Sequence, residues 1–447
     1  MNDKKLFSTA YKFRLKLNFE QKKIFSQWAG CCRYIYNWGL ASRKEAYEKE
    51  KKSVSYVDTA NALTKLKKEE GTKWLSSPPA QVLQQALKDL DQGYQNFFRR
   101  VKSGQAGEAK GFPQFKVKNK SVDSFRFPQP SQFSYRVIDP LKKSFDCHGV
   151  FIKRRAKLDL PKIGEVEFIM TRQIEGRVRN CTILKECGEW YASFNCEIEL
   201  TPQINNGTAI GIDRGVAHTL ATSEGEFSDL PLERIKNLEE RKKILQRRLR
   251  NKKKFSSNWR KKQFAIRRIE TKIKRIRRDW IDKVTTNLAK NHSQIILEDL
   301  QIRNMTRSAS GTIEEPGKNV AQKKGLNRSL LRQGLGILET VLKYKCERNG
   351  VPLILVPPQY TSKICSHCGE KENTERPSQS DFHCLACGLK MNADTNAALN
   401  IFTRGQRGSA CGDAGIAQVG EAGTVLEKTL RKRKSSKESP TIAALAV

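Results

Sequence analysis

TSKICSHCGEKENTERPSQSDFHCLACGLKMNADTNAALNIF, residues 361–402, is the stretch on which the reading of the whole chain turns. It holds two Cys-x-x-Cys pairs, Cys365 with Cys368 and Cys384 with Cys387, each followed at once by a glycine, Gly369 and Gly388. Zinc takes four thiolates in a tetrahedron, and a two-residue gap lets both sulfurs of a pair reach one ion. A glycine after each pair permits the left-handed backbone of a tight knuckle. The fifteen residues between the pairs suit a two-knuckle zinc ribbon. His367 and His383 lie inside the stretch, but the thiolate set is complete without them. Disulfides or loose thiols are the alternative, and the paired spacing argues against both.

The segment that follows, Asn392-Ala393-Asp394-Thr395-Asn396-Ala397-Ala398-Leu399-Asn400-Ile401, is small and apolar enough for a packed helix. Asp394 sits at its start, where a carboxylate either caps the helix or faces a cleft. Two further acids end apolar, strand-like runs. Asp213 closes Ala209-Ile210-Gly211-Ile212-Asp213, and Glu298 closes Ile295-Ile296-Leu297-Glu298. Hydrolysis of a phosphodiester needs an activated water and charge stabilisation on the leaving oxygen, which two Mg²⁺ ions about 4 Å apart supply. Mg²⁺ prefers hard oxygen ligands, so such a site needs carboxylates brought from separate elements into one cleft. Asp299 is the rival of Glu298. The two point to opposite faces of a strand, and the residues alone leave that choice even.

The 447 residues carry 84 Lys+Arg against 47 Asp+Glu, a formal charge of +37. An excess of this size calls for a polyanionic partner, above all nucleic acid. The chain is long enough for several domains. Of its twelve cysteines, the eight outside the ribbon form no disulfide framework, as expected of a reducing cytosol. The N-terminus alternates too strongly for a signal peptide, and the best apolar run, residues 351–358, is too short to span a membrane. His148, His218, His292, His367 and His383 never fall two apart, which disfavours strand transfer by a tyrosine nucleophile with paired histidines on the metal.

Elsewhere the pattern alternates between strand and helix. Tyr11, Phe13, Leu15 and Leu17 interleave with Lys12, Arg14 and Lys16, a strand with one basic face. Residues 20–51 and 80–101 read as helices, the second after the breaker Ser77-Pro78-Pro79. Their aromatics beside basic residues are mostly core, although such sets also stack bases. Residues 102–120 form a Gly/Lys-rich loop. Residues 166–170, 177–185 and 190–200 read as strands, the last two as an antiparallel pair. Strands, then helices, then strands over 209–356 argue for an α/β domain. Within it, residues 232–249 and 264–288 read as a basic helical hairpin. From Arg241 to Arg278 its only acid is Glu270. Nearly single-sign charge repels itself, and phosphate contacts offset that repulsion.

These motifs together resemble the TnpB family, RNA-guided nucleases of insertion sequences related to compact type V CRISPR effectors. The resemblance rests on Gly211-Ile212-Asp213-Arg214-Gly215-Val216, Leu297-Glu298-Asp299-Leu300, Thr361-Ser362-x-x-Cys365-x-x-Cys368-Gly369 and the 392–401 segment. It extends to Gly111-Phe112-Pro113-x-Phe115-Lys116, Leu160-Pro161-Lys162-Ile163-Gly164 and Pro316-Gly317-Lys318-Asn319-Val320. It implies a multidomain α/β protein: an RNase H-like (RuvC) nuclease domain with an inserted zinc ribbon, plus an N-terminal β-barrel interrupted by a helical block. The expected limits are 1–18 for the first barrel strand, 19–110 for the helical recognition block and 111–205 for the rest of the barrel. They continue with 206–361 for the nuclease with its basic hairpin, 362–390 for the ribbon, 391–404 for the end of the nuclease and 405–447 for a disordered basic tail.

The resemblance further implies a catalytic, Mg²⁺-binding triad of Asp213, Glu298 and Asp394, and one zinc on Cys365, Cys368, Cys384 and Cys387. The partners it implies are a guide RNA from the transposon end and a target double-stranded DNA, with no membrane, in the cytoplasm or nucleoid of a bacterium or archaeon. Tyr56 and Gln84 match positions that read a short flanking DNA motif in the family, and Gln81 lies beside them unmatched. Arg247, Arg248, Lys252, Lys253, Arg267 and Arg268 are the expected nucleic-acid contacts of the hairpin. Arg214 departs from the family, which commonly carries a smaller or apolar residue there. The implied function is RNA-guided DNA cleavage beside a short motif. An RNA-guided DNA-binding regulator without cleavage and a guide-independent transposase are the alternatives.

Overall fold

A computed structural model describes residues 5–103, 111–118, 120–138, 153–200, 207–312 and 314–410. Part of the 102–120 loop, His148, the Asn205-Asn206 pair and the tail beyond residue 410 therefore lie outside the described residues. In chain order come β1 (Lys5–Lys16), α1 (Phe19–Glu50), α2 (Tyr56–Leu66), α3 (Ala80–Lys102), β2 (Ser124–Phe127), β3 (Ser134–Val137), β4 (Arg154–Leu160), β5 (Gly164–Met170), β6 (Arg177–Glu186) and β7 (Glu189–Leu200). Then follow β8 (Ala209–Asp213), β9 (Leu220–Thr222), β10 (Phe227–Ser228), α4 (Leu232–Arg250), α5 (Ser257–Asn291), β11 (Gln294–Glu298), α6 (Ile302–Met305), α7 (Val320–Gln333) and α8 (Leu335–Asn349). The series closes with β12 (Leu353–Val356), β13 (Thr374–Glu375), β14 (Asp381–Cys384), β15 (Lys390–Asn392) and α9 (Ala393–Ala410).

The chain forms two compact units. The first comprises Met1–Gln203 and Pro231–Trp280. Its seven strands pair in the order β2-β6-β7-β1-β5-β4-β3, every pairing antiparallel. The period-two pattern of β1 sets its faces: Tyr11, Phe13 and Leu15 are buried, whereas Arg14 and Lys16 are exposed. Trp190, Ala192, Phe194 and Cys196 of β7 join the same core, which α1 and α3 cover with Phe25, Trp28, Ile35, Leu83 and Leu87. β1 pairs along most of its length with β7 and at its end with β5, so the first strand belongs to the same sheet as strands far along the chain. No ladder joins β2 to β3 among the described residues, and the expected barrel is a half-barrel. Both edge strands are four residues long.

Local signals fix the helices of this unit. Asn18 caps α1, accepting from the Gln21 backbone N–H at 2.8 Å while the Gln21 side chain accepts from the Asn18 backbone N–H at 3.1 Å, which satisfies two donors left over at a helix start. Ser55 and Asp58 form the same reciprocal cap on α2. Aromatics divide by position: Trp28 is buried, whereas Tyr34 is 38% and Phe98 55% exposed.

The second unit comprises Ile204–Leu230 and Ile281–Val447. Its main sheet has the order β10-β9-β8-β11-β12, with β8, β11 and β12 parallel. Ile210, Ile212, Ile295, Ile296 and Leu297 are buried, as expected for parallel strands covered on both faces. A small antiparallel sheet, β13-β14-β15, carries the cysteine segment. α9 runs to Ala410, past the expected end at residue 404. A Cβ on Gly405 would lie 2.6 Å from the Ile296 side chain, so the packing of this helix against β11 continues beyond that point.

Candidate active site

The register of two parallel strands brings the first two acids together. Ile296 pairs with Gly211 and Leu297 with Ile212, so Glu298 and Asp213 are the next residues on adjacent strands and share one face of the sheet. α9 covers that face. A Cβ on Gly211 would lie 2.5 Å from the Ala398 carbonyl oxygen and 2.6 Å from Phe402 Cβ. Only glycine allows this approach. Asp394 lies one helical turn before Ala398. Asn392 performs the capping, its Oδ1 accepting from the backbone N–H groups of Asp394 at 2.9 Å and Thr395 at 3.3 Å. The Asp394 carboxylate is thereby released from the plain capping role that its position allows. Asp299 is exposed, and its Oδ1 accepts only a 3.3 Å contact from Gln301; Glu298 is 6% exposed.

Burial raises all three acids, and Asp213 also feels the other two carboxylates. Burial, then the neighbouring Glu298 and Asp394 carboxylates, push Asp213 up to about 7. Burial likewise raises Glu298, against the Thr361 hydroxyl and the Arg214 and Arg404 cations. Burial raises Asp394 as well, with Asp229 adding to the shift and His218 and Arg376 opposing it. Partly buried carboxylates of this kind are stabilised in their charged form by a cation. An all-carboxylate donor set fits Mg²⁺. The three do not close into a cluster as tight as the cysteines described below.

Two residues that the sequence reading did not place in the site hold these acids. Arg214 is buried; it donates from its backbone N–H to Asp213 Oδ1 at 2.8 Å, from Nη2 to the Glu298 carbonyl at 2.6 Å and from Nη1 to Glu339 Oε2 of α8 at 2.9 Å. Thr361 donates its hydroxyl to Glu298 Oε1. These partners lie 84, 125 and 63 positions apart in sequence for Glu298, Glu339 and Thr361 respectively. No local pattern announces contacts of such range. The Thr-Ser-x-x-Cys motif was the one available signal.

The four cysteines converge. Their sulfurs all lie within 4.8 Å of one another, with Cys365 to Cys387 at 3.7 Å and Cys368 to Cys384 at 3.6 Å. Tetrahedral zinc with bonds of about 2.3 Å separates its sulfurs by about 3.8 Å, whereas a disulfide needs about 2.05 Å. Gly369 and Gly388 take φ of 78° and 73°, the left-handed turn that each knuckle needs. The donor set fits zinc.

The expected nucleic-acid contacts fall in the first unit. Tyr56 opens α2, and Gln81 and Gln84 lie in the first turns of α3. Lys88, one turn after Gln84, holds its Nζ 5.5 Å from the centre of the Tyr56 ring, which places Tyr56 beside the α3 face that carries the two glutamines. Arg247, Arg248, Lys252, Lys253, Arg267 and Arg268 are all exposed. Of these, Arg268 lines a groove of about 790 Å³, together with Arg241, Lys272, Arg275, Arg14 and Tyr191. Arg268, Lys272 and Arg275 recur at helical spacing and so share one face of α5. The Arg275 guanidinium donates to Tyr191 Oη at 2.6 Å. Arg241 opens the expected basic run, whereas Lys272 and Arg275 were not named individually; the helical spacing of Arg268, Lys272 and Arg275 is the signal.

Family models match at residues 193–309 ("Probable transposase", OrfB of IS605), 336–401 ("Cas12f1-like, TNB domain") and 7–52 ("Helix-turn-helix domain"). The last span forms β1 and the single long helix α1. The "Putative RNA-guided DNA endonuclease InsQ" of Escherichia coli K12 is 38% identical over 405 residues, 90% of this chain and 94% of InsQ. A "Putative RNA-guided DNA endonuclease" of Streptomyces pristinaespiralis is 28% identical over 409 residues, 90% of this chain and 91% of that protein. The solved Cas12f1–sgRNA–target DNA complex aligns with a TM-score of 0.47 at 16% identity, covering 89% of this chain and 98% of that one. With InsQ matched at this identity over almost its whole length, the chain belongs to the TnpB family of insertion-sequence proteins, the family of IS605 OrfB.

Proposed function

We propose that the protein is an RNA-guided DNA endonuclease of a transposable element, cutting DNA beside a short flanking motif by metal-dependent phosphodiester hydrolysis. The observation that carries the reading is that the parallel strands β8 and β11 bring Asp213 and Glu298 to one face of the sheet, with the α9 turn that follows Asp394 packed over that face, in a chain whose relative InsQ is named for guided DNA cleavage. A sheet of this order with α9 over the acids supports an RNase H-like, RuvC-type domain.

In this account the three carboxylates would hold Mg²⁺, which when bound supplies an activated water and neutralises charge at the scissile phosphate. The chain's own work is placement. The Arg214 backbone N–H orients the Asp213 carboxylate and its guanidinium fixes the backbone at Glu298, Thr361 orients the Glu298 carboxyl, and Asn392 frees Asp394 from capping. Cys365, Cys368, Cys384 and Cys387 would hold one zinc and brace the strand that leads into α9. The exposed cations of α4 and α5 and the groove beside them would meet guide or target phosphates, releasing counterions. Tyr56, Gln84 and Gln81 would meet the flanking motif. No helix among the described residues is long and apolar enough to cross a membrane, and we place the protein in the cytoplasm with the DNA it cuts.

Sequencing the RNA that copurifies with the protein tests this reading. It predicts one defined species from the element's own end; an unselected sample of cellular RNA would contradict it. Cleavage, rather than binding alone, is favoured because all three acids are present and held.

A further inference from the structure

We propose that Thr361 is a positioning residue for Glu298, and that Asn396 and Asn400 lock it, so that the cysteine ribbon and the carboxylate site are held as one hydrogen-bonded frame. The inference rests on the nuclease reading for the role of Glu298; the frame itself rests on contacts within the second unit.

Thr361 is 3% exposed, and its hydroxyl has two acceptors in reach, Glu298 Oε1 and the Pro358 carbonyl at 3.2 Å. A hydroxyl carries one proton, and a carboxylate is the stronger acceptor. The contact fixes which Glu298 oxygen stays free to face the cleft. Thr361 is itself fixed. Asn400 of α9 donates Nδ2 to the Thr361 carbonyl at 2.9 Å and to the Ile364 carbonyl at 2.7 Å. One turn earlier, Asn396 donates Nδ2 to the same Ile364 carbonyl at 2.8 Å and accepts from the Ser366 backbone N–H at 2.9 Å. Asn396 is fully buried and Asn400 is 7% exposed, so each of these amides would lose its partner in a place that water does not reach.

The two asparagines therefore share the helix that begins with Asp394. They grip residues 361–366, which contain the first zinc-type ligand, Cys365, and the hydroxyl that holds Glu298. Tyr360, just before the gripped segment, takes φ of 62°, an uncommon conformation for a bulky residue that persists where its surroundings over-determine it. Through this frame the asparagines of the 392–401 motif transmit the folding of the ribbon to the second acid.

The test compares Thr361→Val, which keeps the shape and removes the hydroxyl, with Thr361→Ser, which keeps the hydroxyl. Mn²⁺ binding to the purified protein is read by electron paramagnetic resonance, and guided cleavage is titrated with Mg²⁺. Thr361→Val should weaken Mn²⁺ binding and raise the Mg²⁺ needed for half-maximal cleavage by about tenfold, the scale of one charge-assisted hydrogen bond. Zinc content and guided DNA binding should be unchanged, and Thr361→Ser should return to within about threefold of the parent. In a Glu298→Gln background Thr361→Val should change Mn²⁺ binding by less than about twofold. An unchanged Thr361→Val protein would overturn the proposal, and so would a loss of equal size in the parent and Glu298→Gln backgrounds. If Thr361→Val fails to fold, Asn400→Asp, which keeps an acceptor but not the donor, takes its place; Mn²⁺ binding that matches the parent would overturn the coupling. Mn²⁺ binding that follows the predicted order, in a protein that cuts no guided DNA, would leave the frame standing and remove the nuclease reading.

Discussion

Gly211 lies directly beneath Ala398, close enough that a Cβ would stand 2.5 Å from the Ala398 carbonyl oxygen and 2.7 Å from the Phe402 backbone nitrogen. The obstacle is backbone, which cannot rotate aside as a side chain would. Gly211→Ala should force α9 off β8 and carry Asp394 away from Asp213. The expected cost is about 3 kcal/mol of stability, with cleavage falling at least about a hundredfold and guided binding falling far less. Thermal melting and a cleavage time course read the two effects separately.

The acids divide by burial. Asp213→Ala, Asp394→Ala and Glu298→Gln should each abolish cutting while leaving guided DNA binding within about threefold, because these groups hold metal rather than duplex. Asp299→Asn should retain most activity, since Asp299 is exposed and successive residues along a strand point to opposite faces. Single-turnover cleavage with the four proteins decides it. A dead Asp299→Asn beside an active Glu298→Gln would reassign the second acid.

How far the sequence reaches is visible in particular residues. Alternation in β1 and β7 was legible because one face of each strand meets the core. The knuckles were legible because zinc dictates the spacing of its ligands. Asp394 was ambiguous until Asn392 was seen to take the cap, a choice between neighbours that both favour the position. Arg214 looked like a departure and proves to be a buried strut, since its partners Glu298 and Glu339 come from β11 and α8. The aromatics of α1 and α3 were read together as mostly core, but Tyr34 and Phe98 lie on exposed faces of those helices. The basic hairpin was expected with the nuclease, whereas α4 and residues 257–280 of α5 cluster with the half-barrel. Helical periodicity fixes a face and says nothing of which unit that face meets.

Asp213 makes a prediction about pH. Its folded value is raised to about 7 from 3.8, so without metal the folded protein binds the proton more tightly than the unfolded chain does. Stability from this group is full below about pH 4 and is lost as pH rises through 7. Asp213→Asn, which keeps the acceptor for the Arg214 N–H, should therefore raise the melting temperature in EDTA at pH 8 by about 2–5 °C. It should have little effect at pH 4, and it should remove most of the stabilisation that Mg²⁺ gives the parent. Melting curves across pH with and without Mg²⁺ check all three.

The ribbon predicts a metal count. Purified protein should carry one zinc per chain, and Cys384→Ser should lose it. Because Asn396 and Asn400 grip the segment entering the first knuckle, the loss should also lower cleavage, by about tenfold or more. Elemental analysis set beside activity tests this; active protein free of zinc would contradict it.

The central claim is that base pairing to a bound RNA chooses the cut site. A chain of charge +37 binds almost any nucleic acid at low salt, and such binding weakens steeply as salt rises. Guided recognition adds an affinity that requires complementarity, with mismatches nearest the flanking motif the most damaging. The direct measurement is to exchange the guide segment of the RNA at physiological salt with Mg²⁺, holding protein and DNA fixed, and to map the cut. The account predicts that the cut moves to the DNA that matches the new guide and carries the flanking motif. A cut that stays in place, or equal cutting by RNA-free protein, would contradict it.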